Sequence, residues 1–280
     1  MTVETPSGKS AATENFPVGS LLVRADLRPH VHAFYRFARA ADDIADNPGL
    51  APGEKVRRLD RMAAVLQGAP GHDAPAALAV RASLEATGVA PAHCLELLEA
   101  FKQDATKLRY RDWDDLMGYC RLSAMPVGRQ VLDLHGEDRE TWAASDPLCA
   151  SLQVLNHLQD CAEDCRLLDR VYLPTEMLRE HGATIGDLKR PSATPGLRRT
   201  IDRLLDGCDR LNRQARGLPS AVRDRRLRCE TAVIVSVAER LTAQLRRRDP
   251  LVERVKLRAP DVLLAFASGI AAGFGRRAAA

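Results

Sequence analysis

The sequence is poor in the features that build β-sheets. Aromatic residues make up only 4% of its 280 residues, and runs that alternate β-branched with polar residues are nearly absent. Alanine, leucine and arginine dominate instead, which favours helices. Hydrophobic residues reach 45%, a proportion typical of a globular chain. We therefore predict an all-α protein.

The sequence also has no long apolar run. No stretch of about eighteen apolar residues is present, so we expect no helix that spans a bilayer, and the first twenty residues lack the apolar core of a signal peptide. The longest apolar run is VLLAFASGIAAGF at 262–274, followed by Arg276 and Arg277. Its length suits either a core helix or a helix that lies in a membrane interface.

Cysteines are odd in number and scattered, and charge is nearly balanced. We expect reduced thiols in a cytoplasmic protein. No His or Cys pair at ligand spacing completes a metal site with Cys161 and Cys165, so we expect both to be buried thiols. The net charge of +4 suits an anionic small molecule or lipid surface and is too weak to indicate nucleic acid. The seven cysteines are Cys94, Cys120, Cys149, Cys161, Cys165, Cys208 and Cys229.

Proline and glycine clusters divide the chain into helical segments. We expect Asp146 to cap a helix whose first residue is Pro147. Neither a repeat nor a linker long enough to separate two domains is visible. We predict a flexible leader at 1–14 and a single domain of eight to ten helices at 15–280. The clusters lie at 48–53, 68–75, 87–93 and 190–196, with a further break at Leu173-Pro174.

The first acidic motif is RAADDIAD at 39–46. On a helix over 27–47, a rotation of about 100° per residue places Asp42 and Asp46 one turn apart. Both lie along the edge of an apolar stripe, and Arg39 precedes them by about one turn. Two carboxylates at this spacing suit Mg²⁺ bound to a substrate phosphate. A charged helix edge with a local salt bridge to Arg39 is the alternative.

Two neighbours of that pair are assigned by the same rotation. Tyr35 lies on the stripe of Asp42 and Asp46, one turn before Arg39. Asp43 points to the far side of the helix, where we expect it to be solvated or to cap the helix end.

The second acidic motif is QVLNHLQDCAED at 153–164. All of its side chains on one helix face are oxygen donors, and none is a thiol or an imidazole. His157 lies one step off this line, and we expect it to be a satisfied or exposed histidine. Two such helices predict carboxylates that face each other across a cavity, an arrangement stabilised by Mg²⁺ bound to a polyphosphate. The face carries Gln153, Asn156, Asp160 and Asp164.

Basic residues follow the second motif in RLLDRVYLP at 166–174. The diphosphate oxygens that do not bind Mg²⁺ can accept hydrogen bonds from Arg166, Arg170 and Tyr172. A helix end with arginines on its last carbonyl groups is the alternative. The sequence has neither a GxxxxGK[ST] loop nor a GxGxxG loop, so we expect neither a P-loop nor a dinucleotide fold.

Together these motifs resemble the squalene and phytoene synthase family, whose marks are Asp-x-x-x-Asp on one helix and Asn-x-x-x-Asp-x-x-x-Asp on a later one. The resemblance extends from about Asn15 to about 260. Within the family, the chain is most similar to the branch that forms hydroxysqualene in the bacterial route to squalene and hopanoids. The segments that carry this likeness are ENFPVGS at 14–20, HAFYRFARAADDIAD at 32–46, YCRLSAMPVGR at 119–129 and the second motif.

The resemblance implies an isoprenoid synthase fold, a single-domain helical bundle around a central cavity. It implies that Gln153 and Tyr119 line the cavity near the reacting carbons, where Tyr119 and Tyr35 can stabilise a carbocation through their rings. The residues it assigns to the diphosphate are Ser20, Arg39, Arg170 and Tyr172. The residues it assigns to Mg²⁺ are Asp42, Asp46, Asn156, Asp160 and Asp164, which with Tyr119 are the predicted catalytic residues.

One segment departs from the family pattern. Where many relatives have a glycine-rich, GTVG-like stretch, this chain has SAMPVG at 123–128. Pro126 should kink that helix and alter the cavity wall. The departure weakens the case for the first condensation step of the pathway and fits an enzyme of the second step.

The expected reaction is therefore the Mg²⁺-dependent conversion of presqualene diphosphate to hydroxysqualene, with loss of diphosphate and capture of the carbocation by water. One alternative is head-to-head condensation of farnesyl diphosphate to presqualene diphosphate, or of geranylgeranyl diphosphate to phytoene. Another is an inactive relative that serves as an assembly factor. The apolar substrate and product are compatible with contact between 262–274 and the inner membrane and with handover to neighbouring pathway enzymes.

Overall fold

The computed structural model describes residues 2–4 and 23–274, with side chains to residue 272. Within these ranges the chain forms twelve α-helices and two short 3₁₀-helices. The only β-type contact in the described ranges is an isolated parallel bridge between Arg109 and Val171. The predicted all-α fold is confirmed, and the helix number exceeds the predicted eight to ten because α8 and α10 are short.

The helices follow the predicted breaks closely. Proline occupies one of the first two positions of α2, α3 and α9, where no intrahelical N–H bond is lost. The α-helices are α1 (Arg28–Ala45), α2 (Pro52–Leu66), α3 (Pro75–Thr87), α4 (Ala92–Thr106), α5 (Trp113–Ser123), α6 (Met125–Leu134), α7 (Trp142–Leu167), α8 (Thr175–Glu180), α9 (Pro195–Ala215), α10 (Leu218–Ala221), α11 (Arg225–Arg247) and α12 (Ala259–Phe274).

Two predictions about proline were wrong. Pro147 lies inside α7, which begins at Trp142, and Asp146 receives two hydrogen bonds from Arg129 at 2.8 and 2.5 Å instead of capping a helix. A proline this close to the start of a long helix removes one hydrogen bond and leaves the rest of the ladder intact. Pro126 is the second residue of α6, which begins at Met125 after α5 has ended at Ser123, so it lies at the start of a separate helix where a kink in one helix was expected.

Two groups of helices pack around two hydrophobic cores. The larger core centres on α7, which contacts α6, α9 and α11. The smaller core lies among α1, α2, α3 and α4. Cys161 and Cys165 are buried in the larger core, as predicted for structural thiols. The predicted site lies where α1 of the smaller group faces α7 of the larger group.

A close contact in the larger core gives a test of packing. A Cβ atom on Gly207 of α9 would lie 2.6 Å from Cζ3 of Trp113 at the start of α5, whereas a Cβ atom on Gly118 of α5 would meet nothing within 4 Å. We expect Gly207→Ala to lower the free energy of unfolding by about 1–3 kcal/mol through overpacking. Gly118→Ala, the matched control, should raise it by about 1 kcal/mol. Chemical denaturation measures both, and equal effects would contradict the packing described.

The predicted leader is described only in part. The backbone N–H of Val3 donates to the carbonyl oxygen of Asp73 at 2.8 Å, and Glu4 accepts a hydrogen bond from the N–H of Ala76. Residues 2–4 therefore lie against the start of α3. Residues 5–22, including Ser20, fall outside the described residues, so the boundary at residue 14 stays a prediction.

Candidate active site

A cavity of about 870 Å³ opens between α1, α4, α5 and α7. Every described residue that the sequence assigned to the site, except Arg166, lies on its wall. The structure thus places the two acidic motifs and the downstream Arg-x-Tyr segment around one space. These wall residues are Tyr35, Arg39, Asp42, Asp46, Tyr119, Gln153, Asn156, Asp160, Asp164, Arg170 and Tyr172. Arg166, by contrast, is exposed and does not line the cavity.

The first motif occupies the last turns of α1. Arg39 forms an ion pair with Asp42 at 3.0 Å and a second one with Asp43 at 2.8 Å. The predictions that Asp43 points to the far side of the helix and is solvated were wrong, because Asp43 lines the cavity and is only 7% exposed. The physical reason is that α1 is covered on more than one side: it packs on α2, α3 and α4 and also faces the cavity. Burial of Asp43 is tolerated because the guanidinium of Arg39 neutralises it.

The second motif lies along one face of α7. Asp160 receives two hydrogen bonds from Arg254, at 2.6 and 2.9 Å, in a bidentate ion pair. Asp164 has no ion pair with any residue in the described ranges. Burial, with the nearby charges of Asp160 and Asp46, raises the pKa of Asp164 to about 7. Negative charge at this point of the cavity is thus only partly neutralised by the protein itself.

Arg170 connects the two motifs. Its backbone N–H donates to the carbonyl oxygen of Asp164 at 3.2 Å, and its guanidinium donates to Asp46 at 3.0 Å. The same guanidinium donates to the carbonyl oxygen of Asp104 at 2.8 Å. Arg170 is therefore held in a buried position from which its charge faces the carboxylates of both helices.

A buried carboxylate that sequence reasoning missed holds this corner together. Asp104 of α4 accepts a hydrogen bond from the hydroxyl of Tyr119 at 2.8 Å and one from that of Tyr172 at 2.7 Å. Its carboxylate also lies 3.7 Å from the guanidinium of Arg170. Burial raises the pKa of Asp104 to about 6, against the opposing effect of Arg170 and the two hydroxyls. The carboxylate is thus still ionised at neutral pH.

Aromatic rings form the adjoining wall. The rings of His157 and Tyr172 are stacked, with centroids 3.4 Å apart, and Tyr119 lies 5.3 Å from Tyr172. Burial and the charge of Arg170 lower the pKa of His157 to about 3, so the imidazole is neutral. His157 also lies 3.1 Å from the amide of Gln153, which confirms the prediction of a satisfied histidine. These rings pack into an aromatic wall beside the acidic residues.

A second, apolar cavity of about 310 Å³ adjoins the first. It shares several wall residues with the acidic cavity, among them Tyr35, Gln153 and Asn156. Its other walls come from apolar side chains of α1, α6, α7 and α11, including Phe34, Leu152 and Ile234. The two spaces form one site that is charged at one end and apolar at the other.

The donor set fits Mg²⁺, a hard cation that takes oxygen ligands. In the described ranges, no three His, Cys, Asp or Glu side chains converge closely enough to hold a metal ion by themselves. Mg²⁺ does not need such a set, because it usually keeps several waters and binds one or two carboxylates with substrate phosphates. Burial raises the pKa of Asp164, and the charges of Asp160 and Asp46 raise it further; a divalent cation bound there would favour the ionised carboxylate.

Sequence reasoning missed four charged residues that line the cavity, namely Asp43, Asp104, Glu163 and Arg254. Asp104 carries a weak signal, because it continues the apolar stripe of Leu97 and Phe101 on α4 and is thus a carboxylate on a buried face. Arg254 carries none, since it lies between α11 and α12 in a segment without periodic pattern.

Three comparisons with known proteins agree with this geometry. A family model described as squalene/phytoene synthase matches residues 10–261. The chain is 44% identical to the hydroxysqualene synthase of Rhodopseudomonas palustris over 274 residues, 98% of this chain and 94% of that protein. It is 45% identical to that of Sinorhizobium fredii, over 95% of this chain and 90% of that protein. Its structure resembles a crystal structure of the squalene synthase HpnC from Alicyclobacillus acidocaldarius, with a TM-score of 0.73, 35% identity and coverage of 83% and 88%.

A helical bundle around a cavity with one acidic, arginine-lined end and one apolar end defines an enzyme with the isoprenoid synthase fold. The match to the family model extends over most of the helical bundle and both acidic motifs. The chain belongs to the squalene/phytoene synthase family.

Proposed function

We propose that the chain converts presqualene diphosphate to hydroxysqualene in an Mg²⁺-dependent reaction. The observation that carries the proposal is the joined cavity, whose charged end suits a diphosphate and whose apolar end suits a prenyl chain. Similarity to named hydroxysqualene synthases over nearly the whole chain supports this choice of substrate. The proposed Mg²⁺ ligands are Asp42, Asp46, Asn156, Asp160 and Asp164.

The charged end would hold and activate the leaving group. Arg39, Arg170 and Arg254 line the cavity and can donate hydrogen bonds to phosphate oxygens. Mg²⁺ bound beside them would neutralise the charge that grows on the diphosphate as its bond to carbon breaks. The electron pair of the carbon–oxygen bond leaves with the diphosphate, and a cyclopropylcarbinyl cation remains. Ser20, which the resemblance also assigns to the diphosphate, is part of this proposal.

The remaining steps need an environment with little water. Rearrangement and ring opening of the cation give an extended allylic cation, which the apolar walls shield from early capture. Tyr119 and Tyr35 line the cavity and can stabilise positive charge through their rings, by about 1–2 kcal/mol when desolvated. Tyr35 and Gln153 lie where the two cavities meet. A water molecule then forms a carbon–oxygen bond, its proton passes to the departed diphosphate, and hydroxysqualene results.

Product identification tests the proposal. Purified protein with Mg²⁺ is incubated with presqualene diphosphate or with farnesyl diphosphate, each with and without NADPH. We expect hydroxysqualene from presqualene diphosphate alone, no product from farnesyl diphosphate, and no effect of NADPH. Product from farnesyl diphosphate alone would indicate the condensing enzyme, squalene formed with NADPH would indicate a reductive one, and no product from either would favour an assembly factor.

A further inference from the structure

The helix α12 carries its side chains in an unusual arrangement. Its small residues Ala265 and Gly269 are buried against α11, while the large apolar residues whose side chains are described point outward. Leu263 is 70% exposed and Ile270 is 62% exposed. In the described ranges, eight large apolar side chains are exposed, and five of them belong to this one helix. The five are Val262, Leu263, Leu264, Phe266 and Ile270, and we call them the α12 face.

Contacts on the opposite side fix this orientation. A Cβ atom on Gly269 would lie 2.9 Å from the carbonyl oxygen of Cys229 on α11, so α12 approaches α11 closely. Asp261 accepts a hydrogen bond from Gln244 at 3.1 Å, and Ser268 lies 3.5 Å from Ser236. A rotation that buried the α12 face would break these contacts and press larger side chains against α11. The outward position of the α12 face therefore belongs to the packed structure.

Charge around the α12 face indicates what covers it. Lys256 and Arg258 are exposed just before the helix, and Arg276 and Arg277 follow it in the sequence. Asp261 is the only acidic residue in 256–277, and it faces the body, where it contacts Gln244. An apolar face bordered by cations is complementary to an anionic lipid surface. A second copy of the chain would bring the same cations together, which disfavours self-association through this face.

The position of α12 also relates to the cavity. Leu227, Thr231 and Ile234 of α11 line the apolar cavity, and Cys229 and Val233 on an adjacent side of α11 meet α12. The apolar cavity and the α12 face are thus separated by a single helix. We propose that α12 docks the protein on an anionic bilayer, with the α12 face inserted among the lipids and the flanking cations on the headgroups.

Vesicle binding of the full chain tests the proposal without any substrate. Sedimentation is measured with vesicles of phosphatidylglycerol and of phosphatidylcholine. We expect tighter binding to phosphatidylglycerol, weakened by salt. The variant Leu263→Gln/Phe266→Gln/Ile270→Gln should bind at least about tenfold more weakly, since each side chain loses the gain from apolar burial. Val252→Gln, which changes a residue that is 65% exposed outside α12, is the matched control and should bind like the wild type.

Further variants and measurements separate the alternatives. Lys256→Gln/Arg258→Gln should weaken binding to phosphatidylglycerol several-fold and leave binding to phosphatidylcholine unchanged. Should the triple variant fail to fold, Leu263→Gln alone is expected to weaken binding about fivefold. The proposal would be overturned if the wild-type protein bound neither kind of vesicle. It would also be overturned if light scattering showed that the wild type is a dimer and the triple variant a monomer. Turnover of detergent-dispersed presqualene diphosphate reports separately on the proposed function.

Discussion

Replacement of Asp164 by asparagine should abolish most of the activity and leave the metal-free protein at least as stable as the wild type. Burial, together with the nearby charges of Asp160 and Asp46, raises the pKa of Asp164 to about 7. Asparagine keeps the shape of Asp164 and removes its charge, so it relieves repulsion while it deletes a proposed Mg²⁺ ligand. We expect turnover to fall about a thousandfold, because removal of one group that stabilises charge in a transition state typically lowers the rate by about this factor.

The pH dependence of stability sharpens this prediction. A carboxyl group whose pKa is higher in the folded protein than in the unfolded chain makes the folded protein lose stability as the pH rises from the lower value to the higher one. For Asp164 that window runs from its ordinary value of 3.8 to about 7. Without metal, the melting temperature of Asp164→Asn should therefore exceed that of the wild type by more at pH 8 than at pH 5.

Thermal scans in EDTA and steady-state turnover with presqualene diphosphate provide the two measurements. Asp114→Asn, on the exposed side of α5, is the matched control and should change neither. A variant that keeps activity would remove Asp164 from the proposed Mg²⁺ site. A variant that loses activity only because it unfolds would show that the carboxylate is structural.

Replacement of Asp104 by asparagine should damage both stability and turnover. One carboxylate accepts hydrogen bonds from Tyr119 and Tyr172 and faces Arg170. An amide can accept from one hydroxyl but leaves the buried guanidinium short of negative charge, which costs about 3 kcal/mol or more. Turnover should fall about 10–100-fold, because small displacements of the groups that hold a substrate are costly.

A double-mutant cycle distinguishes positioning from general destabilisation. If Asp104 acts through Arg170, the effects of Asp104→Asn and Arg170→Gln on turnover should be non-additive by more than about 1 kcal/mol. Glu99→Gln on the same helix removes an exposed carboxylate that pairs with Lys102, and it should change stability by less than about 0.5 kcal/mol. Additive effects of the first pair would show that Asp104 serves the fold alone.

The features that could be predicted from the sequence were those whose residues recur at the helical period. Asp42 and Asp46 repeat with the helical period beside an apolar stripe, as do Asn156, Asp160 and Asp164, so both helices were found with their cavity-facing sides. The fold class followed from the same regularity. The line of oxygen donors on α7 also identified which of its faces meets the cavity.

What could not be predicted depends on contacts between distant segments. Arg254 donates a hydrogen bond to Asp160, 94 residues away in the sequence, and Tyr172 donates one to Asp104, 68 residues away. Contacts between such distant residues produce no local sequence pattern. Asp43 was misplaced because one apolar stripe describes a helix covered on one side, whereas α1 is covered on several. Pro147 was predicted to start a helix because proline favours the first helical position. That local rule does not take into account that packing against neighbouring helices stabilises α7 along most of its length, including the turn before Pro147.

The pairing of arginines with carboxylates in the cavity has a thermodynamic consequence. Arg39 meets Asp42, Arg170 meets Asp46, and Arg254 meets Asp160. When one of these aspartates binds magnesium, its arginine partner becomes available to bind diphosphate. When one of these arginines binds diphosphate, its aspartate partner becomes available to bind magnesium. Such an exchange is heterotropic linkage: magnesium and diphosphate should each tighten the binding of the other, and by the same factor.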